Sequence, residues 1–142
     1  NSPGGSPVQS EFLAKRIIQL SKEKDIPVLS FIEDVAASGG YWLACAGNEI
    51  FSSKASIVGS IGVISAGFGF NKAIEKLGIE RRIYTAGKNK SILDPFSPEK
   101  NEDVKKLKNV QNELHEQFID FVKSRRGSKL DNNEKEIFSG SF

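Results

Sequence analysis

The chain has 142 residues, is 38% hydrophobic and carries a formal net charge of +2. These values suit one globular domain over residues 1–142 with a buried core. Its basic clusters are interspersed with acidic residues, so the sequence indicates no nucleic-acid-binding surface. The single cysteine, Cys45, excludes an intrachain disulfide and argues against a metal site built on thiolates. No apolar run approaches the roughly 20 residues that a membrane-spanning helix needs.

Capping signals and hydrophobic periodicity divide the chain into helices and strands. Ser6 followed by Pro7 predicts a helix that begins at Pro7, because serine caps helices and proline suits their first position. The apolar run 28–32 predicts a short buried strand. The other predicted elements are strands over 49–52, 54–65 and 79–85, helices over 38–46, 71–77 and 97–126, and one short helix within 128–142. Strands alternating with helices predict an α/β fold with parallel pairing.

Ser38 lies where the first predicted strand gives way to a helix. Small residues flank it on both sides, Ala36 and Ala37 before it and Gly39 and Gly40 after it, which leaves room around the hydroxyl. At a helix N-terminus, free backbone N–H groups and the helix dipole favour a developing negative charge. Ser38 is therefore either a nucleophile or only the cap of a core helix, and this stretch alone leaves both readings open.

A serine nucleophile needs a proton acceptor, which is most often histidine. The only histidine, His115, falls beside the apolar face of the long predicted helix, where we expect a structural role. A Ser-His-Asp triad is therefore disfavoured, and Ala36 stands where the G-x-S-x-G motif needs its first glycine. A neutral lysine amine can also act as the base. Lys88 and Lys90, in the long connection 86–97, are the candidates, although either could be an ordinary surface lysine.

Three motifs, in their order and spacing, resemble those of the signal peptide peptidase A family of Ser-Lys serine peptidases. They are Asn1-Ser2-Pro3-Gly4-Gly5, Ala36-Ala37-Ser38-Gly39-Gly40-Tyr41 and Val58-Gly59-Ser60-Ile61-Gly62-Val63. The resemblance covers residues 1–140. It implies the α/β fold of Clp proteases and crotonases, with repeated β-β-α or βαβ units, truncated at both ends, and a long C-terminal helix.

The resemblance also implies a role for each matched position. Ser38 would be the nucleophile and Lys90 the general base, with Lys88 as the alternative. Gly5 and Gly39 would supply the N–H groups of an oxyanion hole, and Ser60 would orient the lysine. No metal or cofactor is implied. A peptide would bind as an added strand along four residues, Gly59, Ile61, Gly62 and Val63.

Family members of this kind are membrane-anchored oligomers that cleave signal peptides and other hydrophobic peptides. The resemblance therefore implies a serine endopeptidase acting through an acyl-enzyme, hydrophobic peptide substrates and a homo-oligomer. It also implies a membrane anchor outside residues 1–142, with the catalytic domain on the outer face of the cytoplasmic membrane. Because Asn1 lies within an apparent motif and Phe142 follows a glycine closely, we expect the chain to be part of a longer protein.

The sequence leaves three alternative functions to consider. A crotonase-type enzyme acting on acyl-CoA thioesters would share the fold and would not need Ser38. A non-catalytic scaffold of the same fold is also open, because folds often persist without their chemistry. A nucleotide-binding loop is disfavoured, since neither glycine-rich stretch, 59–62 or 67–72, matches G-x-x-x-x-G-K-[ST].

Overall fold

A computed structural model describes residues 1–87, 89–131 and 133–142. The chain groups into two compact units. The first contains Asn1–Val63 and Glu113–Phe142, and the second contains Ile64–Asn112. The prediction of a single domain over 1–142 stays a prediction.

Helices and short strands make up the described residues. The strands are β1 (Leu29–Ile32), β2 (Val35–Ala37), β3 (Glu49–Ser52) and β4 (Ile57–Gly59). The helices are α1 (Pro7–Lys24), α2 (Gly39–Ala44), α3 (Asn71–Lys76), α4 (Asn101–Arg126) and α5 (Glu134–Ile137). A single 3₁₀ turn, Gly127–Lys129, follows α4 within the described ranges.

The strands of the first unit form two parallel pairs, which confirms the mixed α/β character expected from the sequence. β1 pairs with β3, with Leu29 opposite Glu49 and Ile32 opposite Ser52. β2 pairs with β4, with Val35 opposite Ile57 and Ala37 opposite Gly59. Because parallel strands point the same way, the carboxyl ends of β2 and β4 meet at one edge, next to Ser38.

The core of the first unit is an aromatic stack between α2 and α4. The Trp42 ring lies 4.5 Å from the Phe118 ring and 5.5 Å from the Phe121 ring, centre to centre. Cys45 and Ala14 are fully buried in the same cluster. Ala14 lets α1 approach this core closely, because its side chain is small. Burial of the aromatic rings is therefore the main apolar contribution that holds α2 in place.

The second unit has a smaller aromatic cluster around one ion pair. The Phe70 ring lies 5.6 Å from Phe96 and 6.0 Å from Phe68. Arg81 pairs with Asp94 at 3.1 Å, and its guanidinium carbon lies 5.5 Å from the Phe96 ring centre. These contacts tie the connection after α3 to the residues that precede α4.

Several predicted elements match, and the mismatches have physical causes. The helix from Pro7 and the strand over 49–52 are confirmed, whereas β2 was missed because three residues carry no periodicity. The strand predicted over 54–65 is wrong beyond Gly59, since Ser60 has φ +53°, which ends the extended backbone. The strand predicted over 79–85 is also wrong, because these residues pair with no strand among the described residues.

The predicted limits of the helices also shift. α2 covers Gly39–Ala44 rather than 38–46. α4 begins at Asn101 rather than at residue 97. The Ser97 hydroxyl donates to the Asp94 carboxylate at 2.8 Å, and that bond takes the place of a helix cap.

Within the described ranges, none of the helices combines the length and the apolar character that crossing a lipid bilayer requires.

We expect Phe118→Ala to lower the free energy of unfolding by about 3–5 kcal/mol, because it removes a fully buried ring from the stack on Trp42. Urea unfolding followed by Trp42 fluorescence measures the change. Val110→Ala is the matched control in the same helix, since Val110 is 53% exposed; its effect should stay within about 0.5 kcal/mol. Equal effects of the two substitutions would contradict this account of the core.

Candidate active site

The Ser2–Gly5 turn lies directly against the chain around Ser38. The Ser2 N–H donates to the Val35 carbonyl at 2.8 Å, and the Ser2 carbonyl accepts from the Ala37 N–H at 3.0 Å. Ser2 thereby forms a parallel bridge with Ala36. The Ser2 carbonyl also lies so close to Gly40 that a Cβ there would collide with it. The motifs at residues 1–5 and 36–41 are thus brought into contact.

Ser38 has a strained backbone at the junction of β2 and α2. Its φ is +52° and its ψ is −123°, a conformation that residues with a Cβ rarely adopt. Its N–H donates to the Gly59 carbonyl at 2.9 Å, and its carbonyl accepts from the Trp42 N–H at 3.0 Å. Ser38 holds the cap position of α2 without a capping bond from its side chain. The half-buried hydroxyl is therefore not used as a helix cap.

Two glycines, Gly4 and Gly39, allow the turn and Ser38 to approach each other. A Cβ on Gly4 would lie 2.8 Å from the Ser38 Cβ and 3.1 Å from the Gly39 nitrogen, and Gly4 has φ +112°. A Cβ on Gly39 would lie 3.3 Å from the Gly5 nitrogen. The backbone of Gly4 and Gly5 therefore lies against Ser38 and Gly39. Outside helices and strands, neither the Gly5 N–H nor the Gly39 N–H donates to a backbone carbonyl of the described residues.

The Gly59–Gly62 segment leaves β4 in a turn. Gly59 has φ +121° and Ser60 has φ +53°, and the Gly62 N–H donates to the Ser60 carbonyl at 3.0 Å. The Ser60 N–H donates to the Ser141 carbonyl at 2.7 Å. The residues predicted to bind a peptide strand therefore form a compact turn that the 140–142 tail already contacts, and Val63 follows at the end of this stretch of the first unit.

A cavity of about 370 Å³ opens beside this turn. Gly59 and Ile61 line one side, Tyr41 projects from α2, and Leu130, Ile137 and Phe142 add apolar surface. The cavity thus adjoins the segment that accepts the Ser38 N–H.

His115 contacts the same turn, a contact that sequence reasoning missed. Its Nε2 lies 2.9 Å from the Ile61 carbonyl oxygen, and Ile61 is only 1% exposed. The periodicity placed His115 correctly beside the apolar face of a helix. No local signal could identify its partner, because the two residues are 54 positions apart.

The predicted lysine base belongs to the second unit. Lys90 is exposed, and its backbone N–H donates to the Gly87 carbonyl at 3.2 Å. Ser38 belongs to the first unit, so the pairing of the two side chains stays a prediction. The alternative base, Lys88, lies outside the described residues.

Tyr41 of α2 and Cys45 at the C-terminal cap of that helix are a titratable pair. Burial raises the pKa of the Cys45 thiol from 9.0 to about 11, although the Tyr41 hydroxyl and the nearby Arg126 charge act in the opposite direction. Burial is also the main reason that the pKa of the Tyr41 hydroxyl lies well above its usual range. Cys45 therefore keeps its proton near neutrality and is a core residue rather than a second nucleophile.

No cluster of three or more His, Cys, Asp or Glu side chains that could hold a metal ion occurs in the described part of the chain.

Comparison with known proteins gives a consistent set of similarities. A family model described as peptidase family S49 matches residues 20–140. The chain is 57% identical to a Na⁺/H⁺ antiporter NhaA of Brucella melitensis, and the match covers all 142 residues of this chain and 19% of that protein. It is 32% identical to a candidate signal peptide peptidase SppA of Enterococcus faecium, over 99% of this chain and 40% of that protein. It is 36% identical to a candidate protease of Methanocaldococcus jannaschii, over 99% of this chain and 46% of that protein. The chain spans less than half the length of each of these relatives.

We expect the stability of the protein to fall as the pH rises above 9.0, because the unfolded chain then loses the Cys45 proton while the folded protein keeps it up to about pH 11. The slope should be at most about 1.4 kcal/mol per pH unit. Urea unfolding between about pH 8 and 10 measures it; Tyr41, whose hydroxyl titrates near pH 10 when unfolded, adds to the decline in the upper part of this range. Cys45→Ala is the control, and an equal decline in that variant would contradict the assignment.

Proposed function

Because the chain belongs to peptidase family S49, the family of signal peptide peptidase A, we propose that it is a serine endopeptidase. In this proposal Ser38 attacks a peptide carbonyl, and the peptide is cleaved through an acyl-enzyme on that serine. The proposal covers the activity of the protein that carries this chain, since the chain spans only part of its relatives.

The backbone of Ser38 is the observation that carries the proposal. A φ of +52° at a residue with a Cβ costs of order 1–3 kcal/mol, and such strain persists only where the surroundings enforce it. A sharp, strained turn between a strand and a helix is how hydrolases present a nucleophilic serine. A serine that only caps a helix needs no such strain and would use its hydroxyl on the helix, which Ser38 does not.

The oxyanion would be held by the N–H groups of Gly5 and Gly39. Two observations support these donors: a Cβ on Gly39 would lie only 3.3 Å from the Gly5 nitrogen, and neither N–H donates to a carbonyl of the described loops. Gly39 also begins α2, whose dipole favours negative charge at this end. Removing one such donor typically costs about 10²–10³ in rate.

The base would be Lys90, with Ser60 orienting its amine. A lysine base must be neutral to accept the Ser38 proton, which requires that substrate and protein exclude water from it. In the proposed first step, the Ser38 oxygen loses its proton to Lys90 and forms a bond to the peptide carbonyl carbon. The peptide C–N bond then breaks and the leaving amine takes that proton from the lysine. Water, deprotonated by the same lysine, attacks the acyl carbon; the bond to the Ser38 oxygen breaks, and that oxygen takes the proton back.

The finer expectations from the motifs belong to this proposal. We propose the Clp-protease and crotonase type of fold for the complete domain, hydrophobic signal-peptide-like substrates, a homo-oligomer and a membrane anchor outside residues 1–142. We propose that the catalytic domain lies on the outer face of the cytoplasmic membrane. Peptide binding would use Gly59, Ile61, Gly62 and Val63, and the cavity that Ile61 and Gly59 line is large enough to take a side chain.

Two other activities receive less support. A crotonase-type acyl-CoA enzyme would also use glycine N–H groups but would give no reason for the strain at Ser38. The transport function named for the Brucella melitensis antiporter is not carried over, because this chain matches only 19% of that protein.

Ser38→Ala tests the proposal. We expect it to abolish labelling by a fluorophosphonate probe and to reduce cleavage of a hydrophobic fluorogenic peptide at least about 10⁴-fold, because no other group replaces the nucleophile. Lys90→Ala should lower the same rates at least about 10²-fold.

Lys108→Ala, which removes an exposed lysine of α4, is the matched control and should leave both rates within twofold, roughly. Peptide cleavage that survives Ser38→Ala would overturn the proposal. A loss in Lys88→Ala, with full activity in Lys90→Ala, would move the base to Lys88.

A further inference from the structure

The Ile61 carbonyl is a buried acceptor that the sheet cannot satisfy. Ile61 is 1% exposed, and β4 has already ended at Gly59 because Ser60 adopts φ +53°. A buried carbonyl left without a donor is costly. The donor here is the His115 ring, whose Nε2 lies 2.9 Å from the oxygen. Since a carbonyl only accepts, the proton must be on Nε2 in the neutral ring.

This bond has a counterpart two residues earlier. The Gly59 carbonyl accepts the Ser38 N–H at 2.9 Å, while the Ile61 carbonyl accepts from His115. Ser60 lies between these two anchors, in a left-handed conformation that its Cβ disfavours. The position of the Ser60 hydroxyl relative to Ser38 therefore depends on both anchors. One of them is part of the nucleophile's own turn, and the other comes from α4.

We infer that His115 is a positioning residue for the peptidase reaction: through the Ile61 carbonyl it fixes Ser60, and Ser60 fixes the lysine base relative to Ser38. This inference rests on the proposed function. His115 acts here as a hydrogen-bond donor to the Ile61 carbonyl, and the proposed base remains Lys90. Its effect should therefore fall on kcat, where the base acts, rather than on KM.

The test compares three substitutions in the protein that carries this chain. His115→Gln keeps an N–H donor at about the reach of Nε2, His115→Asn has the same amide one carbon shorter, and His115→Leu has no donor. We expect His115→Asn and His115→Leu to lower kcat and the rate of fluorophosphonate labelling about tenfold or more. KM should change less than about threefold, and Gln should recover kcat to within about threefold of the parent protein.

Hydrogen exchange measured by mass spectrometry adds a readout that needs no activity. Peptides covering residues 57–63 should exchange faster in His115→Leu and His115→Asn, and at nearly the parent rate in His115→Gln. Unchanged exchange in all three variants would overturn the anchor itself. Faster exchange with full kcat would overturn the role in catalysis, and equal loss of kcat in Gln and Leu would overturn the hydrogen bond as its cause.

Failure of this inference can be distinguished from failure of the proposed function. If Ser38→Ala abolishes activity and His115→Leu does not reduce it, His115 loses its positioning role and the peptidase stands. If the parent protein shows no labelling that depends on Ser38, the peptidase proposal fails, and the catalytic role of His115 fails with it.

Discussion

The hydrogen bond from the Ser38 N–H to the Gly59 carbonyl is the interaction on which the rest of the site depends. It joins the end of β2 to the end of β4, at the edge where two parallel strands finish. Gly4 closes the other side, because its missing Cβ lets the N-terminal turn lie against Ser38. Held from both sides, Ser38 cannot relax from φ +52° to an ordinary helical value. The strain is therefore a product of three segments distant in sequence.

Helix α4 supports this arrangement from one face. His115 contacts the turn after β4, Phe118 stacks on Trp42, and Arg125 donates to the carbonyls of Cys45, Ala46 and Gly47 at the end of α2. Positions 115, 118 and 125 share one face at helical spacing. A cation at the C-terminal end of a helix also complements its dipole. One surface of α4 thus holds both α2, which begins directly after Ser38, and the turn that accepts the Ser38 N–H.

Local signals predicted what is local in the structure. Ser6 and Pro7 marked the start of α1, and the small residues around Ser38 marked the junction of a strand and a helix, because capping and close approach depend on neighbouring residues. Residues 79–85 are of types that favour strands, but they form no strand because no neighbouring strand pairs with them among the described residues. The contact of His115 with Ile61 depends on how α4 packs in the first unit. The spacing of apolar residues along α4 does not encode that packing.

A peptide bound along β4, as proposed, would compete with residues 140–142. The Ser60 N–H, which an added strand would use, already donates to the Ser141 carbonyl, and Gly62 approaches Gly140 so closely that a Cβ would lie 3.0 Å from its Cα. A peptide adding a strand here must displace the tail or extend from the other side of Gly59. One backbone hydrogen bond contributes only about 0.5–1.5 kcal/mol. A longer strand that forms several such bonds would therefore offset the loss of the bond to Ser141. In the proposed complex the same exchange would open the cavity that Phe142 lines, so binding of the strand would be coupled to access to the cavity.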